Sequence, residues 1–408
     1  MSQPMEGIRI LEVAEHTFVP AASAILADWG ADVVKIEHVE RGDASRGLVS
    51  SGMAFFGGDV NIIFEHANRG KRSLALDLTS EEGRAILYRL AATADVFLTN
   101  KLPGVRTRLQ IDVDDIRAHN ESIVYVRGSG YGARGPDSDA GGYDILGFWH
   151  RSGHSVSMKS TDMANVPGMP APAYGDCVGA MTIAGGIAAA LVQRARTGEG
   201  ELVDVSLLAA GMWAMSPGVS LTAQNGPSPE RPPARSNMSP FNSLTACYTT
   251  SDGKRIALSM LQGFVYWPEV CRRIGREDLI DDPRFTTNEA FIASTAESVA
   301  ILEEAFAGRT QEEWKAQLHG MAGQWTPVQS TYELLEDPQV EANTYLQKLE
   351  NAGGHEYTLV STPVQFGETA APTRRAPEFN EHGDDILIED LGMDWDTIID
   401  LKTRGVLS

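Results

Sequence analysis

The sequence predicts an α/β protein in which a parallel sheet forms the larger part and a smaller α+β domain is inserted into it. Short apolar runs alternate with helical patterns from residue 7 to residue 127. This alternation indicates βαβ crossovers, which connect parallel strands. A segment rich in proline, 225–235, then separates this half from a region with a different pattern. We therefore expect the larger part to be Rossmann-like.

The elements of the first half follow from their residue patterns. A strand is predicted at 7–13, where most positions are apolar. A helix follows, because apolar residues from Ala22 to Trp29 recur at the spacing of one helical face. Thr79 and Glu82 form a capping-box pattern, which predicts the start of another helix. Further strands are predicted at 32–37, 73–78, 95–99 and 122–127.

The turn after the first strand lacks the glycine pattern of dinucleotide-binding proteins. Residues 14–20 read Ala-Glu-His-Thr-Phe-Val-Pro and contain no GxGxxG. Without those glycines, a pyrophosphate cannot approach the backbone as closely as it does in dinucleotide-binding proteins. The sequence therefore argues against NAD-dependent chemistry in spite of the sheet type.

The second half gives the domain boundaries. A β-hairpin is predicted at 245–259, with a turn at 251–254, and short helices follow to about residue 325. Helical patterns return at 332–336 and at 384–391. We expect a large domain at 1–224, a small domain at 225–330, and a return of the chain to the large domain at 331–408.

Composition excludes several classes of partner. The formal net charge is −21, whereas nucleic acids and anionic membrane surfaces are bound by basic faces. No apolar run is expected to be long enough to span a bilayer, and the first residues do not form a secretory signal pattern. These features indicate a cytoplasmic protein that binds neither nucleic acid nor membrane.

Cysteine and histidine usage indicates no metal site. The three cysteines, Cys177, Cys247 and Cys271, lie far apart in the sequence, and neither they nor the nine histidines follow a metal-ligand spacing. We expect no metal, and we interpret Cys177 as a small buried residue without a basic partner.

The segment 174–180 places one carboxylate, Asp176, at the start of a long apolar helix that is predicted to run to about Arg194. Backbone N–H groups of a first helical turn, together with the helix dipole, favour a negative charge. The sequence therefore predicts an ionised carboxylate that small neighbours leave open to a ligand. Two interpretations remain: Asp176 is a nucleophile, or it is an ordinary helix cap.

Motifs along the whole chain resemble those of the class III coenzyme A transferases, the family of formyl-CoA transferase, carnitine CoA-transferase and the bile-acid CoA-transferases. Each motif is weak alone, but their common order is specific. The segments that carry the resemblance are 26–37, 42–43, 68–78, 94–104, 132–136, 142–144, 175–176, 196–200, 252–253 and 381–387.

The resemblance implies that Asp176 is the catalytic nucleophile. It implies a transfer of CoA from an acyl-CoA to a carboxylic acid acceptor, through an aspartyl mixed anhydride and an aspartyl-CoA thioester. Coenzyme A is then a substrate, and no permanently bound cofactor is expected. The resemblance also implies an interlocked homodimer.

Two basic clusters are candidates for binding the phosphates of coenzyme A, although either could be a solvated loop. The first is Arg69, Lys71 and Arg72, and the second is Lys101, Arg106 and Arg108. By resemblance, the CoA-binding positions are His16, Thr17, His38, Asn100, Lys101 and Arg108.

The pair Tyr143 and Asp144 separates the transferase from its alternative. The α-methylacyl-CoA racemases resemble the chain over the same segments and use a His–Asp pair, but here the histidine position holds Tyr143. A phenol is a poor proton carrier near neutrality, so the transferase is favoured, with Tyr143 and Asp144 expected in the catalytic site. A non-catalytic CoA-binding protein is a third possibility. The bulky segment 259–267 is expected either to line the acyl pocket or to begin a core helix.

Overall fold

The computed structural model describes residues 3–47, 59–227 and 241–408, which form two compact units. Unit 1 comprises Met1–Met158, Val166–Pro229 and Pro338–Ser408. Unit 2 comprises Lys159–Asn165 and Glu230–Asp337. The short segment 159–165, which lies inside the large domain predicted at 1–224, groups with unit 2.

The strands of the described residues form three sheets. In chain order they are β1 (Arg9–Val13), β2 (Asp32–His38), β3 (Arg72–Leu76), β4 (Val96–Thr99), β5 (Val124–Ser129), β6 (Leu202–Ser206), β7 (Thr245–Thr249), β8 (Arg255–Ser259), β9 (Trp325–Val328), β10 (Leu346–Glu350) and β11 (Glu356–Val360). The first six form a parallel sheet in the order β3-β2-β1-β4-β5-β6. This order belongs to the doubly wound nucleotide-binding sheets, in which the direction of winding reverses between β1 and β4. The predicted α/β class and Rossmann-like sheet are confirmed.

Helices connect these strands. In chain order they are α1 (Phe18–Asp28), α2 (Ile62–Asn68), α3 (Glu81–Ala91), α4 (Pro103–Leu109), α5 (Val113–Arg117), α6 (His154–Ser157), α7 (Tyr174–Thr197), α8 (Leu207–Ala214), α9 (Ser216–Asn225), α10 (Gly263–Ile274), α11 (Asn288–Ala293), α12 (Thr295–Phe306), α13 (Gln311–Leu318), α14 (Pro338–Ala342), α15 (Gly383–Asp385) and α16 (Trp395–Thr403). Short π-helical turns lie at Ile145–His150 and Ile386–Asp390.

The parallel sheet is covered on both faces, as its alternating side chains require. On one face Ile10, Val33 and Val96 pack with α1 and α7 in one buried cluster. On the other face Leu11 and Phe97 belong to a second cluster, which includes residues of α3 and α16. The central strands are therefore buried on both sides, and polar groups are left to the strand ends.

Helix α3 begins later than the sequence predicted. Ser80 is its N-cap, and the Ser80 side chain accepts a hydrogen bond from the Gly83 N–H. The Thr79 hydroxyl donates instead to Asp77, at 2.6 Å. The predicted capping box of Thr79 and Glu82 is therefore wrong, because Thr79 belongs to the turn that precedes the helix.

Helix α7 corrects the expectation about membrane-length segments. Among the described residues it is the one helix that is long and apolar enough to span a bilayer by length and composition. Many of its residues are small and apolar, and one face, which includes Ile183 and Ile187, is buried in the cluster shared with α1. A core helix of a soluble protein has the same composition, so α7 is weak evidence for a membrane span.

Unit 2 contains the antiparallel sheet β7-β8-β9. Its core is aromatic, with Trp267, Phe285 and Phe291 packed together. The predicted hairpin is confirmed, whereas β9 was not predicted. The segment 259–267 enters helix α10, and Trp267 is fully buried, so this end of the segment belongs to the core.

The close packing of α7 on α1 gives a stability prediction. A Cβ atom added at Gly179 would lie 2.3 Å from Phe18 Cε2, whereas a Cβ atom at Gly185 on the same helix meets nothing within 4 Å. We expect Gly179→Ala to lower the free energy of unfolding by about 1–3 kcal/mol through overpacking. Gly185→Ala is the control and should raise it by up to about 1 kcal/mol, through helix propensity. Urea denaturation of both variants checks this, and equal effects would contradict the packing described.

Candidate active site

A cleft runs along the carboxyl edge of the parallel sheet in unit 1. It consists of two adjoining cavities of about 280 and 540 Å³. Both are lined by Glu15, Arg41, Lys101, Val105 and Arg108. In doubly wound sheets ligands bind outside the carboxyl ends of the strands, where the strand order reverses. The cleft lies at that place, between the ends of β1 and β4.

Asp176 lines the larger cavity. It lies in the first turn of α7, but the N-cap position is held by Ala173, and no side chain caps the helix. Asp176 is therefore not an ordinary helix cap, and of the two interpretations from the sequence the cap is wrong. The same geometry leaves its carboxylate facing a cleft.

The charge state of Asp176 differs from the expectation. Burial raises its pKa to about 8, and the negative charge of Asp144 adds to this effect. The N–H groups of Gly175 and Asp176 act on Asp144 instead, where they oppose the effect of burial. The expected ionisation at neutral pH is thus wrong for the unliganded protein, because the helix N-terminus favours the neighbouring carboxylate.

Asp144 and Tyr143 lie beside Asp176 at the start of the π-helical turn. Asp144 is buried, and its Oδ1 accepts a hydrogen bond from the Ile145 N–H at 2.8 Å. Burial raises the pKa of Asp144 as well. Tyr143 is 61% exposed, and its ring meets the ring of His16 edge-on, with centroids 5.7 Å apart. Tyr143 and His16 therefore form one wall of the cavity that contains Asp176.

The loop after β1 is held by Asn100. The Asn100 side chain donates to the Glu15 carbonyl at 2.7 Å and accepts from the Glu15 N–H at 3.1 Å. Lys101 forms an ion pair with the Glu15 carboxylate at 2.8 Å. Both residues line the cleft, but their polar groups bind the loop. Asn100 is thus a clamp on the protein's own backbone in this structure.

Two arginines line both cavities and are exposed. Arg108, which the sequence singled out, extends from α4, and Arg41, which it missed, follows β2. His38 lines the smaller cavity and accepts a hydrogen bond from the Glu40 N–H through Nδ1. Thr17 is buried immediately before α1. Arg41 has no neighbouring basic residue in the sequence, and only its place after a strand end could have indicated it.

The first basic cluster is not in the cleft. Arg69 is buried and donates to Asp28 at 2.8 Å. Arg72 binds Asp32 and Asp390. The Arg69 pair is buried and the Arg72 pairs are partly exposed, but both guanidinium groups are bound to carboxylates of the chain itself, so the structure does not support the predicted phosphate contact for either residue.

Lys71 is also directed inward. Its ammonium group donates to Glu12 at 2.8 Å, to the Pro20 carbonyl at 2.9 Å and to Asn68 at 3.0 Å. Three acceptors satisfy all three N–H bonds of a lysine, and the side chain is buried. No donor is left for a phosphate, which corrects the expectation for Lys71.

Cys177 has a histidine neighbour that the sequence spacing did not indicate. Its Sγ lies 3.4 Å from Nε2 of His66 in α2. Burial raises the pKa of Cys177 to about 11 and lowers the pKa of His66 to about 4. Both groups are neutral at pH 7, so the pair is not a thiolate nucleophile. Across the residues described, no three His, Cys, Asp or Glu side chains group as metal ligands.

These features define an α/β protein with a nucleotide-type cleft, exposed arginines along it and a half-buried carboxylate in the larger of its two cavities. The chain belongs to CoA-transferase family III, which matches residues 5–383. It is 32% identical over 406 residues to (R)-2-hydroxy-4-methylpentanoate CoA-transferase of Clostridioides difficile, with 99% of each chain covered. It is 31% identical over 386 residues to cinnamoyl-CoA:phenyllactate CoA-transferase of Clostridium sporogenes, covering 94% of this chain and 92% of that one.

The fold is likewise similar to a solved structure of this group. A CAIB/BAIF family protein from Brucella suis superposes with a TM-score of 0.79 at 27% identity, covering 95% of this chain and all of the other. The chain is thus an acyl-CoA:carboxylate CoA-transferase, and CoA thioesters are its substrates.

The raised pKa of Asp176 gives a prediction for stability. Between the ordinary value of 3.8 and about 8, the folded protein keeps a proton that the unfolded chain releases, so its stability falls as pH rises through this window. Asp176→Asn removes the titration. We expect it to raise the free energy of unfolding relative to the native protein by a few kcal/mol, on the order of 2, at pH 8 and by much less near pH 4.

Denaturation at the two pH values measures this difference. Asp396→Asn is the control, because Asp396 also lies in a first helical turn but is exposed. A stability gain that is the same at both pH values would contradict the burial effect.

Proposed function

We propose that Asp176 is the nucleophile that carries CoA between the donor and the acceptor acid. The observation that supports this most directly is its position: one carboxylate of the first turn of α7 lines the cleft at the carboxyl edge of the sheet. Gly175, the residue before Asp176, lets the start of α7 pack closely on Phe148, because a Cβ atom there would lie 2.5 Å from that side chain.

The reaction balances as two acyl exchanges. After its proton passes to solvent, Asp176 Oδ attacks the thioester carbonyl of the donor, the C–S bond breaks, and a mixed anhydride and CoA thiolate result. The thiolate then attacks the Asp176 carbonyl carbon of the anhydride, which forms the aspartyl-CoA thioester and releases the donor carboxylate. The acceptor carboxylate repeats the two steps in reverse, so that the acceptor leaves as its CoA thioester and Asp176 is regenerated.

Burial of Asp176 has two consequences for this chemistry. A desolvated carboxylate lacks the hydration shell that weakens a nucleophile, once its proton is lost. The same exclusion of water protects an anhydride from hydrolysis. Asp144 contributes a neighbouring negative charge, which helps to keep the pKa of Asp176 high. A carboxylate with a higher pKa is a stronger nucleophile towards the carbonyl carbon of the thioester.

Coenzyme A occupies the cleft in this proposal. Arg41 and Arg108 are exposed, line both cavities and are suited to phosphate groups, which guanidinium binds in a bidentate manner. Lys101 adds a cation that Glu15 partly neutralises. His16, Thr17, His38 and Asn100 complete the proposed binding region, in which Asn100 acts through the loop.

The wall around Asp176 supports acids with an apolar side chain. Phe18, Tyr143, Leu146 and Leu207 line the larger cavity with it. The two curated relatives are named for 2-hydroxy acids with a hydrocarbon or an aromatic side chain. We therefore propose substrates of this type, in which one carboxylate is the reacting group and the remainder is largely uncharged.

The proposal extends to assembly and location. Helix α9 has no buried residue, and Trp213 of α8 is 77% exposed. Large exposed apolar residues of this kind mark protein interfaces, which supports the interlocked homodimer. A cytoplasmic location, no metal and no permanently bound cofactor complete the proposal, together with the absence of nucleic-acid and membrane partners.

An exchange assay tests the chemistry. Purified protein with acyl-CoA donors and a panel of branched, aromatic and dicarboxylic acids should form new CoA thioesters, with the apolar monocarboxylic acids preferred. Asp176→Asn should lower kcat by at least about 10⁴-fold, because covalent catalysis is lost. Incorporation of deuterium into the α-carbon from D₂O without an acceptor acid would instead indicate the racemase alternative. Binding of CoA without any exchange would indicate a non-catalytic protein.

The position of Arg41 after β2 gives a second test. In related sheets an arginine near this strand end accommodates a ribose phosphate, so we expect Arg41 to bind the 3′-phosphate of CoA. Arg41→Ala should raise KM for acyl-CoA about tenfold, with kcat little changed, and should leave KM for the 3′-dephospho analogue unchanged. Arg196→Ala, an exposed arginine of the last turn of α7, is the control. If Arg41→Ala raised KM equally for acyl-CoA and for its 3′-dephospho analogue, the assignment of Arg41 to the 3′-phosphate would be contradicted.

A further inference from the structure

The loop between β1 and α1 has a strained backbone in place of the usual glycines. His16 adopts φ 67°, a left-handed conformation that is uncommon for residues other than glycine, although asparagine, aspartate and histidine adopt it more often than the rest. Such a conformation costs on the order of 1 kcal/mol or more and persists only where its surroundings enforce it. His16 lines the cavity of Asp176 and touches Tyr143, so its backbone determines the shape of that wall.

Side chains hold each peptide of this loop. The carbonyl of Ala14 accepts from the Lys35 ammonium at 2.9 Å. Asn100 binds both the N–H and the carbonyl of Glu15. The N–H of His16 donates to Asp43 Oδ1 at 3.1 Å. The loop is therefore clamped from outside at three consecutive residues.

Asp43 is the clamp on the strained residue itself. It is 1% exposed, and its Oδ1 also accepts from the N–H and the hydroxyl of Ser45, at 2.8 and 2.6 Å. Its Oδ2 lies 2.7 Å from the Lys35 ammonium. With these partners the carboxylate has a fixed orientation, and the His16 N–H is the contact that it makes to the cleft loop.

Lys35 connects this clamp to the centre of the sheet. Its ammonium lies within 2.9 Å of three groups, namely Glu12, the Ala14 carbonyl and Asp43. Glu12 in turn binds Lys71 at 2.8 Å. Two carboxylates and two ammonium groups thus form one buried, charge-balanced cluster, consisting of Glu12, Lys35, Asp43 and Lys71, which we name the β1 charge cluster.

We propose that Asp43, held by Lys35, is a positioning residue that keeps His16 in its left-handed conformation and so preforms the CoA-binding wall. The inference rests on the proposed function, since the wall is taken to bind CoA. Asp43 also lines the smaller cavity, and the role proposed for it is exerted through the His16 backbone. Loss of its carboxylate frees His16 to relax to negative φ, which moves both the His16 ring and its contact with Tyr143.

The variants Asp43→Ala and Asp43→Asn test this. Alanine removes the acceptor for the His16 N–H, whereas asparagine retains an acceptor and loses only the charge. We expect the Kd for CoA, measured by titration calorimetry, to rise about tenfold for Asp43→Ala and about threefold for Asp43→Asn. In a crystal structure of Asp43→Ala, φ of His16 should be negative.

Ser23→Ala is the matched control. The buried Ser23 hydroxyl donates to Glu12 on the far side of the β1 charge cluster and does not touch the loop. We expect it to lower the midpoint of thermal unfolding while it leaves the Kd for CoA within about twofold. An equal loss of affinity for CoA in Ser23→Ala and Asp43→Ala would overturn the inference. Any damage to the β1 charge cluster would then weaken CoA binding, whether or not it removed the contact to the His16 N–H.

A double variant separates backbone positioning from other effects. Glycine adopts positive φ without strain, so in a His16→Gly background Asp43→Asn should cost less than twofold in affinity. A threefold loss in both backgrounds would overturn the proposal, as would a positive φ at His16 in Asp43→Ala. Failure of both Asp43 variants to fold would overturn it as well, since Asp43 would then serve the fold. If the native protein binds no CoA, the proposed function fails, while the φ of His16 in Asp43→Ala still decides this inference.

Discussion

The β1 charge cluster is the interaction on which the rest of the site depends. Burial alone would raise the pKa of Glu12, but the charges of Lys35 and Lys71 outweigh it and lower that pKa. Removing one partner of such a buried pair leaves an uncompensated charge, which costs several kcal/mol. The cluster therefore fixes the end of β1, the start of α1 and the loop after β2 as one unit. These three segments determine the shape of the cleft.

The protein is acidic and its substrate is anionic, and its cations differ in where they lie and what they bind. Cations that lie near the sheet centre, such as Lys35 and Arg69, are paired with carboxylates inside the fold. Arg41 and Arg108 are exposed at the cleft. Asp176 lines the larger of the two cavities, where burial disfavours its negative charge. In the proposed mechanism, this position favours the uncharged, covalent states of that carboxylate.

The fold was largely predictable because its signals are local. Alternation of strand and helix patterns predicted the sheet, whereas the choice of Asp176 as nucleophile rested on the resemblance to the family and stays a prediction. The roles of the basic residues were not predictable, since they depend on partners distant in sequence. Lys71 is satisfied by Glu12, and Arg69 by Asp28, across 59 and 41 positions. The high pKa of Asp176 likewise depends on tertiary burial, which the sequence pattern at the start of a helix does not predict.

The central claim is that Asp176 becomes bonded to the cargo, and isotope transfer tests it most directly. An acceptor acid labelled with ¹⁸O in both carboxylate oxygens attacks the aspartyl-CoA thioester, and the bridging oxygen of the resulting anhydride stays on Asp176 when CoA leaves with the acceptor. After turnover and proteolysis, mass spectrometry should find ¹⁸O in the peptide that contains Asp176 and in no other peptide. Sustained CoA exchange with an unlabelled Asp176 peptide would contradict the account.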